Sequence, residues 1–115
     1  MNKVADKIYY IYVLRCADNS LYTGITTDIE RRFSEHKSRR SSGEKYTRSK
    51  KAVSIEALWS CASRSEASKL EYAFKKLSKI KKEEIISNPI LLNEYLAEIT
   101  QDSEYKYIEK AVSLV

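Results

Sequence analysis

The chain has 115 residues, 43% of them hydrophobic, and a net charge of +5. That length supports one small domain with a modest core, and the apolar content excludes a disordered chain. With no charged-then-apolar leader and no apolar run long enough to span a bilayer, the expectation is a cytoplasmic protein without a membrane partner.

The charge is unevenly placed. Residues 1–82 hold 19 Lys+Arg against 9 Asp+Glu, whereas residues 83–115 hold 2 against 7. The basic part therefore favours a phosphate-rich partner such as DNA. Cys16 and Cys61 stand alone in apolar, strand-like surroundings with no CxxC spacing, which predicts reduced, packed thiols and not a disulfide or a zinc site.

Residues 8–16, IYYIYVLRC, form a nearly continuous apolar run rich in β-formers and predict a strand covered on both faces. Turn chemistry follows at 17–20, and Leu21 to Ile25 resumes an extended pattern, so 8–25 reads as a β-hairpin. Side chains alternate faces along a strand, which makes the parity of the loop decisive. A two-residue turn of Asp18 and Asn19 would pair Tyr22 with Arg15 and put Tyr12 and Tyr22 on opposite faces, whereas the expected odd loop, three residues over Asp18 to Ser20 or an equivalent bulge, sets Tyr22 opposite Cys16 on the face of Leu14, Tyr12 and Tyr10.

Thr27-Asp28-Ile29-Glu30 matches a capping box, with Thr27 as N-cap, and opens a helix from Asp28 to Arg39 or Arg40. At about 100° per residue, Ile29 and Phe33 mark its buried stripe. His36 projects beside Ile29, Arg32 lies at the stripe's edge, and Arg31 points away. Residues 37–51 are polar and strongly basic, with Tyr46 alone among the cations, and read as an irregular connector. Arg31, Lys37, Arg39, Arg40, Lys45, Arg48, Lys50 and Lys51 are the candidate nucleic-acid contacts.

Ala52 to Cys61 predicts a third strand, half-buried, with Val53, Ile55, Ala57 and Trp59 on one face. Ser63-Arg64-Ser65-Glu66 is a second capping box, opening a helix to about Ile80 with Ala67, Leu70, Phe74 and Leu77 inward. Glu71 falls at the border of that apolar arc. Asn88-Pro89 begins a short helix carrying Leu91, Leu92, Tyr95, Leu96 and Ile99, and Asp102 or Ser103 begins a last one carrying Ile108, Val112 and Val115. The expected class is α+β: a three-stranded antiparallel sheet flanked by helices over residues 1–87, with residues 88–115 as a helical extension packed on the same domain or mediating a homodimer.

Tyr10-Ile11-Tyr12 and Tyr22-Thr23-Gly24, with nine residues between them, resemble the two motifs of the GIY-YIG nuclease superfamily. Asp28 to Phe33 followed by His36 is similar to that family's helix motif. Lys45-Tyr46-Thr47-Arg48 resembles a loop signature of its small stand-alone bacterial members, and Leu70-Glu71 with Lys75-Lys76-Leu77 resembles its metal-ligand segment. The resemblance covers about residues 8–83, with Tyr10 in place of the first glycine and Thr23 in place of the isoleucine. It implies a metal-dependent endonuclease hydrolysing DNA phosphodiesters, with branched, nicked or damaged DNA as the expected structure-specific substrate. Glu71 would be the hard oxygen ligand for Mg²⁺ or Mn²⁺. Arg32 would hold the phosphate in a bidentate fork, and Tyr12, Tyr22, His36 and Tyr46 would complete the catalytic set. The competing reading is a nucleic-acid-binding module with an inactive site.

Overall fold

The computed structural model describes residues 7–38 and 51–109. Along them run β1 (Tyr9–Cys16), β2 (Leu21–Thr26), α1 (Ile29–Lys37), β3 (Ala52–Cys61), α2 (Arg64–Lys75), α3 (Lys79–Ser87), α4 (Leu91–Tyr95), α5 (Ala97–Thr100) and β4 (Lys106–Tyr107). The strands form one antiparallel sheet in the order β2-β1-β3-β4. The α+β class stands, with four strands where three were expected.

The β1–β2 loop has three residues, Ala17 to Asn19, one place earlier than expected. The Asn19 amide donates to the Cys16 carbonyl at 2.8 Å and the Cys16 amide to the Ser20 carbonyl at 2.9 Å. Asn19 takes the left-handed φ of 71°, a conformation that asparagine tolerates and that closes a three-residue hairpin loop. The Asp18 carboxylate accepts from the Ser20 amide at 3.0 Å and fixes the turn. Tyr22 consequently pairs with Leu14 instead of Cys16. Because the shift is two residues in pairing, the parity survives and Tyr22 shares a face with Tyr12.

Alternation along β1 separates two cores. Ile11 and Val13, with Ala57 and Trp59 of β3, meet Ala67, Leu70 and Phe74 of α2, Ile85 of α3, and Leu92 and Leu96. Tyr12 and Leu14, with Ala52, Ile55 and Leu58, meet Phe33 of α1. The expected placement of Val53 and Ile55 with Ala57 and Trp59 is corrected by a bulge. Val13 pairs with Ala57 but Leu14 with Ile55, leaving Glu56 as the extra residue. Ile55 thereby turns to the α1 face, and a second register shift, between Arg15 and Cys16, leaves Val53 without a partner on β1 and 51% exposed.

Local hydrogen bonding also resets three helix boundaries. Asp28, not Thr27, caps α1, its carboxylate accepting from the Arg31 amide at 3.2 Å; a charged acceptor at a helix N-terminus gains from the macrodipole as well. Ser63 caps α2 as expected, accepting from the Glu66 amide at 3.1 Å. The helix expected to reach Ile80 instead ends at Lys75, because Ser78 is extended and accepts from the Lys81 amide at 3.2 Å, starting α3. Burial of Ile85 that this break allows, worth about 1.5–3 kcal/mol, outweighs a lost helical hydrogen bond of about 1 kcal/mol.

In place of the last helix expected from Asp102 or Ser103, the chain adds β4 to the open edge of β3. Tyr107 pairs with Trp59 and its ring meets the indole edge-on at 5.6 Å. The Ile108 amide donates to the Leu58 carbonyl at 2.8 Å and the Tyr105 hydroxyl to the Glu66 carbonyl at 2.7 Å. An unpaired strand edge has donors and acceptors to satisfy, and an alternating Tyr-Lys-Tyr segment suits it better than a helix. Val112 and Val115 lie outside the described residues.

Candidate active site

Tyr12 is 1% exposed although it carries a hydroxyl. Its phenol lies over Gly24, the residue opposite it on β2. A Cβ at Gly24 would come within 2.6 Å of the Tyr12 ring carbon that bears the hydroxyl, so the glycine is there to make room for the ring. Any side chain at this position would have to evict it.

α1 delivers the partners of that hydroxyl. Ile29 and Phe33 anchor the helix on the Tyr12 face of the sheet, which aims Arg32 and His36, one turn apart, at the phenol. The Arg32 Nε donates to the Tyr12 oxygen at 3.3 Å. The Nε2 of His36, a residue only 5% exposed, lies 3.4 Å from the same oxygen. The Tyr22 and His36 rings are 4.7 Å apart between centroids, and the Tyr12 and Tyr22 rings 6.2 Å. Tyr12 thus lies against three other expected residues, Tyr22, Arg32 and His36, and Tyr22 packs on His36. Tyr22 and Arg32 are open to solvent, whereas Tyr12 and His36 form the floor.

Burial pushes the Tyr12 phenol up to about 12, only partly offset by the hydrogen bond from Arg32. Arg32 is held firmly charged, first by Glu35 and then by Tyr12. Glu35 is the residue that sequence reasoning missed. Its carboxylate accepts from the Arg32 Nη1 at 2.8 Å and from the Arg31 Nη1 at 3.3 Å, and Arg32 in turn holds its carboxyl below the usual range. The signal was present as an acidic residue three positions after Arg32 on the same helix.

Glu71 comes from α2, the helix that covers the opposite face of the sheet. It is ion-paired to Lys75 at 3.1 Å, with 23% of its side chain exposed. Among the described residues no three His, Cys, Asp or Glu side chains group as a metal cage. A lone, partly exposed carboxylate is a donor set that Mg²⁺ accepts when water and phosphate oxygens supply the other ligands. Of the expected nucleic-acid contacts, Arg31 is engaged by Asp28 and Glu35, Lys37 lies over the Phe33 ring at 5.4 Å, and the Lys51 carbonyl accepts from the Ala17 amide at 2.9 Å. Tyr46, Arg39, Arg40, Lys45, Arg48 and Lys50 lie outside the described residues.

Comparison with known proteins places this geometry in context. The family model of the GIY-YIG catalytic domain matches residues 8–84. A UPF0213 protein of Fusobacterium nucleatum is 52% identical over 81 residues, covering 70% of this chain and 79% of that protein. One from Halobacterium salinarum is 42% identical over 76 residues, covering 66% of this chain and 96% of that protein. A solution NMR structure of a UPF0213 protein from Bacillus halodurans is 42% identical, with a TM-score of 0.45, and the match covers 70% of this chain and 83% of that one.

Proposed function

The chain belongs to the GIY-YIG catalytic-domain family, and on that premise we propose that it is a divalent-metal-dependent endonuclease hydrolysing phosphodiester bonds in DNA. The observation that carries the proposal is the buried Tyr12 hydroxyl held between the Arg32 Nε and the His36 Nε2, at 3.3 and 3.4 Å. A core tyrosine needs one polar partner. This one lies between a guanidinium and an imidazole nitrogen.

Arg32 meets the substrate first. A phosphate oxygen takes the place of Glu35 on the guanidinium, and the fork then stabilises the charge that grows on the non-bridging oxygens. Tyr12, with its pKa near 12, is protonated at neutral pH and cannot act as a free phenolate. It serves by relay: as water attacks phosphorus and the bond from phosphorus to the departing sugar oxygen breaks, the Tyr12 oxygen accepts the attacking water's proton while its own passes to the His36 Nε2, and the departing oxygen takes a proton from solvent. Tyr22 packs against the His36 ring and holds its orientation. Glu71, on the helix that packs against the other face of the sheet, would hold Mg²⁺ or Mn²⁺ and through it supply Lewis-acid charge neutralisation to a phosphate that reaches both it and Arg32.

The test incubates purified protein, beside Glu71→Ala, with single-stranded, duplex, flap and junction DNAs in Mg²⁺ or Mn²⁺. Cleavage by the wild type with at least a hundredfold loss in the variant is expected. Equal traces from both proteins, or none under either ion, overturn the proposal in favour of a binding module.

A further inference from the structure

The outer face of α2 carries an arrangement that this chemistry leaves unused. The buried stripe of the helix is Ala67, Leu70 and Phe74. At about 100° per residue the opposite face presents Lys69, Tyr72 and Lys76. Tyr72 is 65% exposed, and the Lys76 Nζ lies 4.4 Å from its ring centroid. Going round the helix from the buried stripe, Glu71 comes first, then Lys75, and Tyr72 lies beyond them. The way from the carboxylate to the exposed ring therefore passes a single ammonium group, that of Lys75, with Lys76 and Lys69 on the far side of the ring.

Core packing does not require an aromatic at position 72, and among the described residues most of the side chain is left in solvent. An aromatic face bordered by lysines is what a flexible nucleic-acid strand needs: bases stack on the ring while phosphates meet the cations. A duplex cannot use it, since its bases already stack on one another. We propose that Tyr72, flanked by Lys69 and Lys76, is a stacking platform for an unpaired DNA strand adjoining the site. This rests on the nuclease reading and deepens it, because the substrate is then DNA with a single-stranded arm and not continuous duplex.

Binding without divalent ion isolates the platform from catalysis. Full-length protein is titrated with fluorescently labelled oligothymidylate and with a blunt hairpin duplex of equal charge. Tyr72→Ala weakens the oligothymidylate complex about tenfold and leaves the duplex within twofold, while Tyr72→Phe binds both as the wild type does. Lys76→Gln lowers the salt slope for the oligonucleotide by about 0.7. Tyr72→Trp supplies an independent reading that truncation of the ring cannot disturb: its indole is quenched by oligothymidylate and not by duplex. Absence of oligothymidylate binding by the wild type, equal binding by Tyr72→Ala, or an unquenched Tyr72→Trp overturns the platform. If the platform binds but no DNA is cut under any ion, the nuclease reading fails alone. If cleavage depends on Glu71 but Tyr72→Ala changes neither binding nor cleavage, the platform fails alone.

Discussion

Two arginines, one on the sheet and one on the helix that covers it, do opposite work. Arg15, on β1, is gripped by Glu83 of α3 through two hydrogen bonds of 2.5 and 2.7 Å and by Glu56 at 3.3 Å, with only 18% of its side chain exposed. Ser54 donates to Glu56 at 2.5 Å, and Lys79 adds a bond from its ammonium to the Asn19 carbonyl at 2.7 Å. Among the described residues Arg32 has one carboxylate, Glu35, three residues away on its own helix, and both side chains are over 40% exposed. Each arginine is held in its charged form by its carboxylate partner. The difference lies in replaceability. Removing Glu83 from Arg15 would detach α3 from the hairpin, whereas Glu35 can swing into water and leave a guanidinium fork ready for phosphate.

Exchanging the two arginines for alanine makes the contrast sharpest. Arg32→Ala is expected to cut DNA at least a hundredfold more slowly, with a urea midpoint close to that of the wild type. Arg15→Ala is expected to lose about 2 kcal/mol of stability, the cost of leaving part-buried carboxylates without their partner, while the folded fraction retains its rate. Paired urea melts and single-turnover cleavage check both. If Arg15→Ala slows cleavage as much as Arg32→Ala without unfolding, the division of labour is wrong.

The same division explains what could be read before the structure. Tyr12, Tyr22, Arg32 and His36 follow from two local periodicities, alternation on a hairpin and 100° steps on a helix, and these hold once the loop parity is right. The local residues left the parity open, since a turn of Asp18 and Asn19 alone would put the two phenols on opposite faces, and the position of the loop depended on which residue would take positive φ. The bulge at Glu56 had no local signal, since it arises from matching β3 to β1 while Glu56 turns to Arg15. The break at Ser78 was hidden among good helix formers; it depends on Ile85 finding the core. β4 is two residues long, too short for alternation to outweigh a helical spacing of Ile108 with Val112. Glu71 was identified from resemblance and helical angle, and neither reports which face of the sheet its helix covers.

A second, smaller effect concerns the phenol that Arg32 holds. Tyr12 binds its proton more tightly folded than unfolded, because burial raises its pKa from 10.0 to about 12. The sign follows from linkage: below pH 10 both states are protonated and the stability from this group is fully present. From pH 10 to 12 the unfolded phenol ionises first, so stability falls by up to about 1.4 kcal/mol per pH unit. Tyr12→Phe should flatten that part of the curve relative to the wild type, measured by urea melts at intervals from pH 9 to 12. Arg15→Ala should leave the slope unchanged. Identical slopes for the wild type and Tyr12→Phe would mean that the hydroxyl is solvated, and the buried relay would lose its basis.

The smallest expected effect tests the replaceable partner itself. Glu35 competes with phosphate for Arg32, so Glu35→Gln should tighten DNA binding in the absence of divalent ion. Exposed ion pairs are weak, which limits the gain to about fivefold. It should shrink further as salt rises, since both the competing pair and the phosphate contact are screened. The corresponding change at the other arginine, Glu83→Gln, should leave DNA affinity unaltered and lower the urea midpoint instead. Fluorescence anisotropy at 50 and 200 mM salt separates the two. If Glu35→Gln weakens binding, the carboxylate is positioning Arg32 for the phosphate and not occupying its place, and the guanidinium would have to reach the substrate with Glu35 still attached.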